Sequence, residues 1–137
     1  MSKFSRVTDQ ISVAPQVTLS DMVLAAAEGF TLVINNRPDG EDPAQPLSAD
    51  MEAAAKAAGL AYAHIPVRGA PTLDQVEAER HLLEHHNGRA LAFCRSGTRS
   101  IVTWSLGQAL AGDRTRDDLI ALGEAAGYDL SNVLPRS

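Results

Sequence analysis

One cysteine and the residues around it carry the chemistry that this sequence can do. Cys94 ends the apolar run Ala90 to Cys94, and Arg95-Ser96-Gly97-Thr98-Arg99-Ser100 leads from it into a segment whose apolar residues repeat at helical spacing. A cysteine at such a junction sits at a helix amino terminus, where unpaired backbone N–H groups and the helix dipole favour an anion. Those groups lower a thiol pKa from its reference of about 8.5 and hold an oxyanion or a sulfur anion above it. Gly97 permits a positive φ so that successive amides converge, and Arg99 offers a fork of donors matched to a tetrahedral or thiosulfonate anion. Arg95 stands at the mouth, and Ser96, Gly97, Thr98 and Ser100 complete the substrate-binding lining. Free cysteine is more often a small buried hydrophobe. Here several independent anion-binding features coincide, so the loop reads as a nucleophile, Cys94, inside its own anion cradle with Arg99 as the anion-binding catalytic partner.

A second candidate is Asn36-Arg37-Pro38-Asp39-Gly40-Glu41, a polar loop after the apolar run Thr31 to Ile34. Loops that follow parallel strands gather at one sheet edge, so Asn36, Arg37 and Asp39 can border the cysteine loop, Arg37 attracting an anion and Asp39 positioning it or acting as an acid. The alternative is a tight turn whose Asn and Asp satisfy their own backbone. His64 reads as a satisfied core histidine in a strand, Trp104 as core. His81 and His85 have the i, i+4 spacing of a metal pair but lack a recognisable third ligand, so no metal and no cofactor are called for.

These loops need strands and helices to hold them. Four short apolar or β-branched runs read as strands: Ile11 to Ala14, Thr31 to Ile34, Tyr62 to Val67 and Ala90 to Cys94. Between them lie helical segments with recognisable starts: Thr18 with Asp21, Ser48 ahead of an alanine-rich stretch, Thr72 with Gln75, and Thr115. Gly29, Gly59, Asn87-Gly88 and Gly127 close them. The helix from Arg99 to about Ala111 carries Ile101, Val102, Trp104, Leu106, Ala109 and Leu110, a stripe wide enough to be largely enclosed. The tail supplies Tyr128, Leu130 and Leu134 as docking residues. The alternation predicts an α/β fold, a central parallel sheet of about four strands flanked by helices, spanning residues 1–137 as one domain.

Composition narrows the function classes. The chain has 137 residues, 45% hydrophobic and 21% charged, which is ordinary globular composition. A net charge of -5 with no basic cluster disfavours nucleic acid as a partner. The single cysteine makes no internal disulfide, and the polar amino terminus differs from a secretory signal; both point to the cytoplasm. Apolar runs fall short of the roughly 20 residues of a membrane span.

From about Val7 to Leu110 the sequence resembles the bacterial beta-lactamase-hydrolase-like phosphatase-like domain. The likeness rests on Ile11-Ser-Val-Ala-Pro-Gln16, Val33-Ile-Asn-Asn-Arg-Pro-Asp-Gly-Glu41, His64-Ile-Pro-Val67 and Cys94-Arg-Ser-Gly-Thr-Arg-Ser100. It implies a protein-tyrosine or dual-specificity-phosphatase-like fold with the catalytic loop at the carboxyl edge of a strand. Fusion of such domains to a persulfide dioxygenase or a sulfide-oxidising flavoprotein implies sulfane-sulfur chemistry. Cysteine phosphatases place histidine before the cysteine, five residues between cysteine and arginine, and an aspartic acid on a separate loop. This chain has Phe93, four intervening residues, and no acid in Arg68-Gly69-Ala70-Pro71. Cys-Arg-Ser-Gly-Thr-Arg is instead similar to the active loop of single-domain rhodaneses. The expected activity is therefore sulfur transfer through a Cys94 persulfide, from thiosulfate or a low-molecular-weight persulfide to a thiol such as glutathione. The alternatives are a cysteine phosphatase, with a small phosphate as substrate and Asp39 as its reserve acid, and an inactive anion-binding module.

Overall fold

Backbone hydrogen bonds in the computed structural model, described over residues 3–135, order the chain as an alternation of strands and helices. These are β1 (Ser5–Arg6), β2 (Ile11–Ala14), α1 (Asp21–Ala27), β3 (Phe30–Asn35), α2 (Ser48–Ala57), β4 (Ala61–His64), α3 (Leu73–Glu84), β5 (Arg89–Phe93), α4 (Thr98–Ala111) and α5 (Arg116–Ala126). They build one sheet in the order β1-β2-β5-β3-β4, parallel except for β1. The expected α/β fold with a parallel sheet is present.

The sheet is buried on both faces because its strands alternate between two apolar clusters. Ile11, Val13, Leu32, Ile34, Ala90 and Ala92 point to the side of α3, α4 and α5, where they meet Leu83, Ile101, Trp104 and Leu119. Val33, Leu91 and Phe93 point to the side of α1 and α2 and pack on Met22, Ala25, Met51 and Ala55. Leu130 and Leu134 close the first cluster, so the tail docks as its apolar residues predicted.

Two helix starts, at Thr72 and Thr115, carry the expected caps, and a third shows the expected bonds at a shifted position. Thr18 and Asp21 exchange the expected bonds, side chain to backbone amide, at 3.2 and 2.8 Å, but Ser20 holds the cap position of α1, so Thr18 lies two residues ahead of the cap and Asp21 is the first helical residue. Thr72 and Gln75 exchange such bonds at 3.2 and 2.9 Å, and the Thr115 hydroxyl accepts from the Asp118 amide.

Four expectations need correction. A fifth strand, β1, pairs antiparallel with β2; two polar residues carry no periodicity that would reveal it. β4 ends at His64, not Val67, because the register breaks there: Ile65 N–H donates to the Asn35 carbonyl and Val67 N–H to that of Asn36, two residues against one. Ser48 does not cap α2: Leu47 occupies the cap position, the Ser48 amide donates to Asp39 Oδ1 at 2.8 Å, and its hydroxyl bonds Tyr62 Oη at 2.8 Å. His64 is exposed rather than core, its Nε2–H donating to the Arg37 carbonyl at 2.9 Å.

Ile34 is fully buried in β3, the strand that feeds the second candidate loop. Ile34→Ala should cost about 2–5 kcal/mol of stability, read as a lowered urea midpoint, because the packed sheet face cannot collapse onto the cavity.

Candidate active site

The site follows from where the parallel strands end. Ala14, Phe93, Asn35 and His64 fall in one row across β2, β5, β3 and β4. The next residues leave the ladder together at the carboxyl edge, where ligands of open parallel sheets bind. Backbone bonds stitch the departing segments: Cys94 N–H to Ala14 at 3.4 Å, Asn36 N–H to Phe93 at 2.8 Å, Gln16 N–H to Arg95 at 3.2 Å.

Cys94 is buried, and its sulfur accepts the Gly97 N–H at 3.1 Å. Gly97 holds φ at 92° as the residue before α4, the conformation that turns the loop back over the sulfur. A Cβ there would overlap the Tyr128 hydroxyl, which donates to the Ser96 carbonyl at 2.9 Å. The tail residue Tyr128 therefore floors the loop itself. Arg95, Ser96 and Thr98 are exposed at the mouth, with the Ser96 hydroxyl donating to Thr98 at 3.0 Å. Ser100 is buried and its hydroxyl has no partner among the described residues. The backbone amides of residues 95, 96, 99 and 100 likewise meet no protein acceptor among the described residues, which leaves them to an anion.

Arg99 is held in one orientation. Its Nη1 donates to Glu41 Oε2 and to the Val67 carbonyl, each at 2.8 Å, and its Nη2 donates to Glu41 Oε1 at 2.8 Å. Of the five N–H donors of a guanidinium, three are thus taken, and Nε–H with the second Nη2–H remain on one edge. Glu41 also accepts from Arg37 Nε at 3.0 Å, and Arg37 Nη1 donates to Gln16 Oε1 at 3.0 Å. The chain Gln16, Arg37, Glu41, Arg99 runs from the loop after β2 to the first turn of α4. Its two arginine contacts, Arg99 first, pull the Glu41 carboxyl from an ordinary 4.5 down to about 2 against the desolvation that opposes them. The Arg99 proton is correspondingly held more firmly, by Glu41 first and by the Cys94 sulfur in smaller part.

The sequence expectation for the second loop changes in detail. Asn36 and Arg37 do come to the edge of the sheet beside Cys94, but both are buried and engaged. Arg37 spends donors on Glu41 and Gln16, and Asn36 Nδ2 donates to Glu79 Oε1 at 2.8 Å and to the Ile65 carbonyl at 3.1 Å. Asp39 is engaged with the Ser48 amide at the start of α2. Two residues had no assigned role in the sequence. Glu41 carried a signal in its i, i+4 spacing to Arg37, and Glu79 in its place on the buried stripe Val76, Glu79, Leu83 of α3. His81 and His85 rings stack at 4.1 Å, and no cluster of three or more potential ligands for a metal occurs among the described residues.

A buried cysteine set between a central strand and the amino end of the following helix, with an arginine in that helix's first turn, is the arrangement of a cysteine-based, phosphatase-like α/β protein. The chain belongs to the family of the beta-lactamase hydrolase-like protein, phosphatase-like domain, whose model matches residues 3–111. It is 37% identical over 130 residues to the beta-lactamase hydrolase-like protein of Agrobacterium fabrum, covering 93% of this chain and 30% of that protein. A crystal structure described as a candidate phosphatase from Neisseria meningitidis matches with a TM-score of 0.85 and 30% identity, covering 96% and 94% of the two chains. A DUF442 protein of Shewanella putrefaciens shares the fold at a TM-score of 0.76 and 20% identity, over 96% and 82%. The chain spans about 30% of the length of the curated relatives it matches. These names support a phosphatase-like enzyme class built on a cysteine, and none of them speaks of sulfur transfer.

Two carboxylates make the site sensitive to pH in opposite directions. Folding lowers the Glu41 pKa, so its ion pairs contribute fully above about pH 4.5 and are lost as pH falls through about 2. The urea midpoint of Glu41→Gln should lie below wild type at neutral pH, with the gap shrinking below pH 4.5 and closing through about pH 2. Burial pushes Glu79 up to about 7, opposed by its bond from Asn36. Its contribution is complete below about pH 4.5 and is lost as pH rises through about 7, so Glu79→Gln should gain on wild type across that interval.

Proposed function

We propose that the chain is a cysteine-dependent sulfurtransferase that moves sulfane sulfur through a Cys94 persulfide. The observation that carries this reading is the commitment of every carboxylate on the loop after β3. Glu41 is clamped on two arginines, Asp39 bonds the Ser48 amide and Asp42 bonds the Ala44 amide. Sulfur transfer asks for an anion cradle and not for an acid. The Cys94 thiolate attacks the outer sulfur of thiosulfate, the S–S bond breaks, and sulfite leaves with the electron pair as an anion that needs no proton. A thiolate acceptor then takes the outer sulfur and releases Cys94. The amides of residues 95, 96, 99 and 100 and the free edge of Arg99 hold the anion in both steps.

The second reading is a phosphatase forming a phosphocysteine on the same residues. Family and structural likeness favour it over sulfur transfer, whereas loop length and the engaged carboxylates favour sulfur transfer. Cleavage of an alkyl phosphate would require a proton donor, with Asp39 released from Ser48 as the candidate.

Mass spectrometry after exposure to thiosulfate or to a phosphate ester separates the readings: a persulfide on Cys94 supports the first, a phosphate adduct the second, and neither leaves an anion-binding module. Cys94→Ser should abolish sulfur transfer, and Arg99→Ala should impair thiosulfate turnover. Asp39→Asn, which keeps an acceptor for the Ser48 amide, should change sulfur transfer little. In a phosphatase it should cost about 10²–10⁴ in rate on poor leaving groups. Faster turnover of phosphate esters than of thiosulfate, lost on Asp39→Asn, would overturn the proposal.

A further inference from the structure

Beside the anion cradle opens a cleft of about 430 Å³, walled by Gly69, Ala70 and Pro71 before α3, by Val102 and Leu106 of α4 and by Val133 of the tail. Its volume suits a small molecule. Thr98 and Arg99 line it as well, so one end of the cleft reaches the arginine of the cradle. Thr98, Val102 and Leu106 are four residues apart along α4, which makes the cleft a trough running down one helix face from the terminus that receives the anion. Its walls are mostly apolar side chains, and Val133 stands 41% exposed on the rim.

We propose that this trough takes the hydrocarbon arm of an organic thiosulfonate, R–SO₂–S⁻, whose anionic head sits over Cys94. The proposal rests on the sulfur-transfer reading and names the class of donor. Its occupant follows from Arg99, which borders both spaces: a cationic end for the anion and an apolar length for the rest of the same molecule. A peptide thiol such as glutathione suits it poorly, because carboxylates and an ammonium would lose water there and meet only Arg99 and Asn132 as polar side chains beyond Thr98. In the reaction the Cys94 thiolate bonds to the terminal sulfur, the S–S bond breaks, and the sulfinate R–SO₂⁻ leaves with the electron pair. Cys94 keeps the sulfane sulfur, and no further reactant is consumed.

The trough can be tested without turnover. Cys94→Ser protein titrated calorimetrically with benzenesulfonate and methanesulfonate, which share a head group and carry no transferable sulfur, should bind the aryl anion at least about tenfold tighter. Ala70→Phe, which fills the trough, and Val133→Ser, which strips its rim, should bring that ratio toward unity, and both positions are exposed enough to spare the fold. Equal affinity for the two anions overturns the trough, as when a second copy or another protein segment covers it. Wild-type protein should release sulfinate from benzenethiosulfonate with a higher kcat/KM than from methanethiosulfonate. Release from neither while thiosulfate still loads Cys94 with a persulfide overturns the thiosulfonate assignment alone, failure with thiosulfate as well overturns the sulfur-transfer reading beneath it, and the binding ratio decides the apolar arm.

Discussion

Parallel strands that stop in one row impose a demand on everything beyond them. Each chain leaving the edge carries peptide groups that have lost their ladder partners, and in a buried position these must be satisfied or be offered to a ligand. Here the departing segments satisfy one another wherever they can. Asn36 bonds back to Phe93 and Gln16 to Arg95, while Ile65 and Val67 bond Asn35 and Asn36. The groups left over lie around Cys94, at the first turn of α4. The site collects backbone donors that the departing segments leave unpaired, which is why they converge without any side chain having to reach far.

Electrostatics tightens the same edge. Arg37 is nearly fully buried, which is tolerable only because its charge and donors are matched by Glu41 and Gln16. Glu41 then spends both oxygens on Arg99, so one carboxylate fixes the orientation of an arginine on another element. The remaining donors of Arg99, Nε–H and one Nη2–H, are therefore held in a fixed direction by Glu41. Glu79 works from the opposite side. It is buried with Asn36 Nδ2 as its one hydrogen-bond partner among the described residues, and its protonated form relieves that burial.

Much of this could be read from the residues. The strand cores, the reciprocal cap at Thr72, and the cysteine loop announce themselves by period or by residue type. What stayed hidden was reciprocity between distant segments. Arg37 and Arg99 look equally free in a sequence, and only the fold shows that one is spent holding the carboxylate that aims the other. Asp39 looked like a candidate acid, yet its partner is the amide of Ser48, nine residues on. Ser48 itself looked like a cap because serine favours that position, but Leu47 lies there and Ser48 turns its hydroxyl to Tyr62. His64 fell in an apolar run and so resembled core, although β4 is the edge strand and leaves its side chain exposed.

The hydroxyl of Tyr128 under the Ser96 carbonyl has a consequence for where this protein can be divided. The family match stops at residue 111, yet the support beneath the cysteine loop arrives from beyond it, carried by α5 and anchored by Leu130 and Leu134 in the core. A boundary drawn at residue 111 would remove the floor of the cradle while leaving every residue of the motif in place. The tail is thus a mechanical link: a displacement of Leu130 or Leu134 in the core would reach the cysteine loop through one phenol.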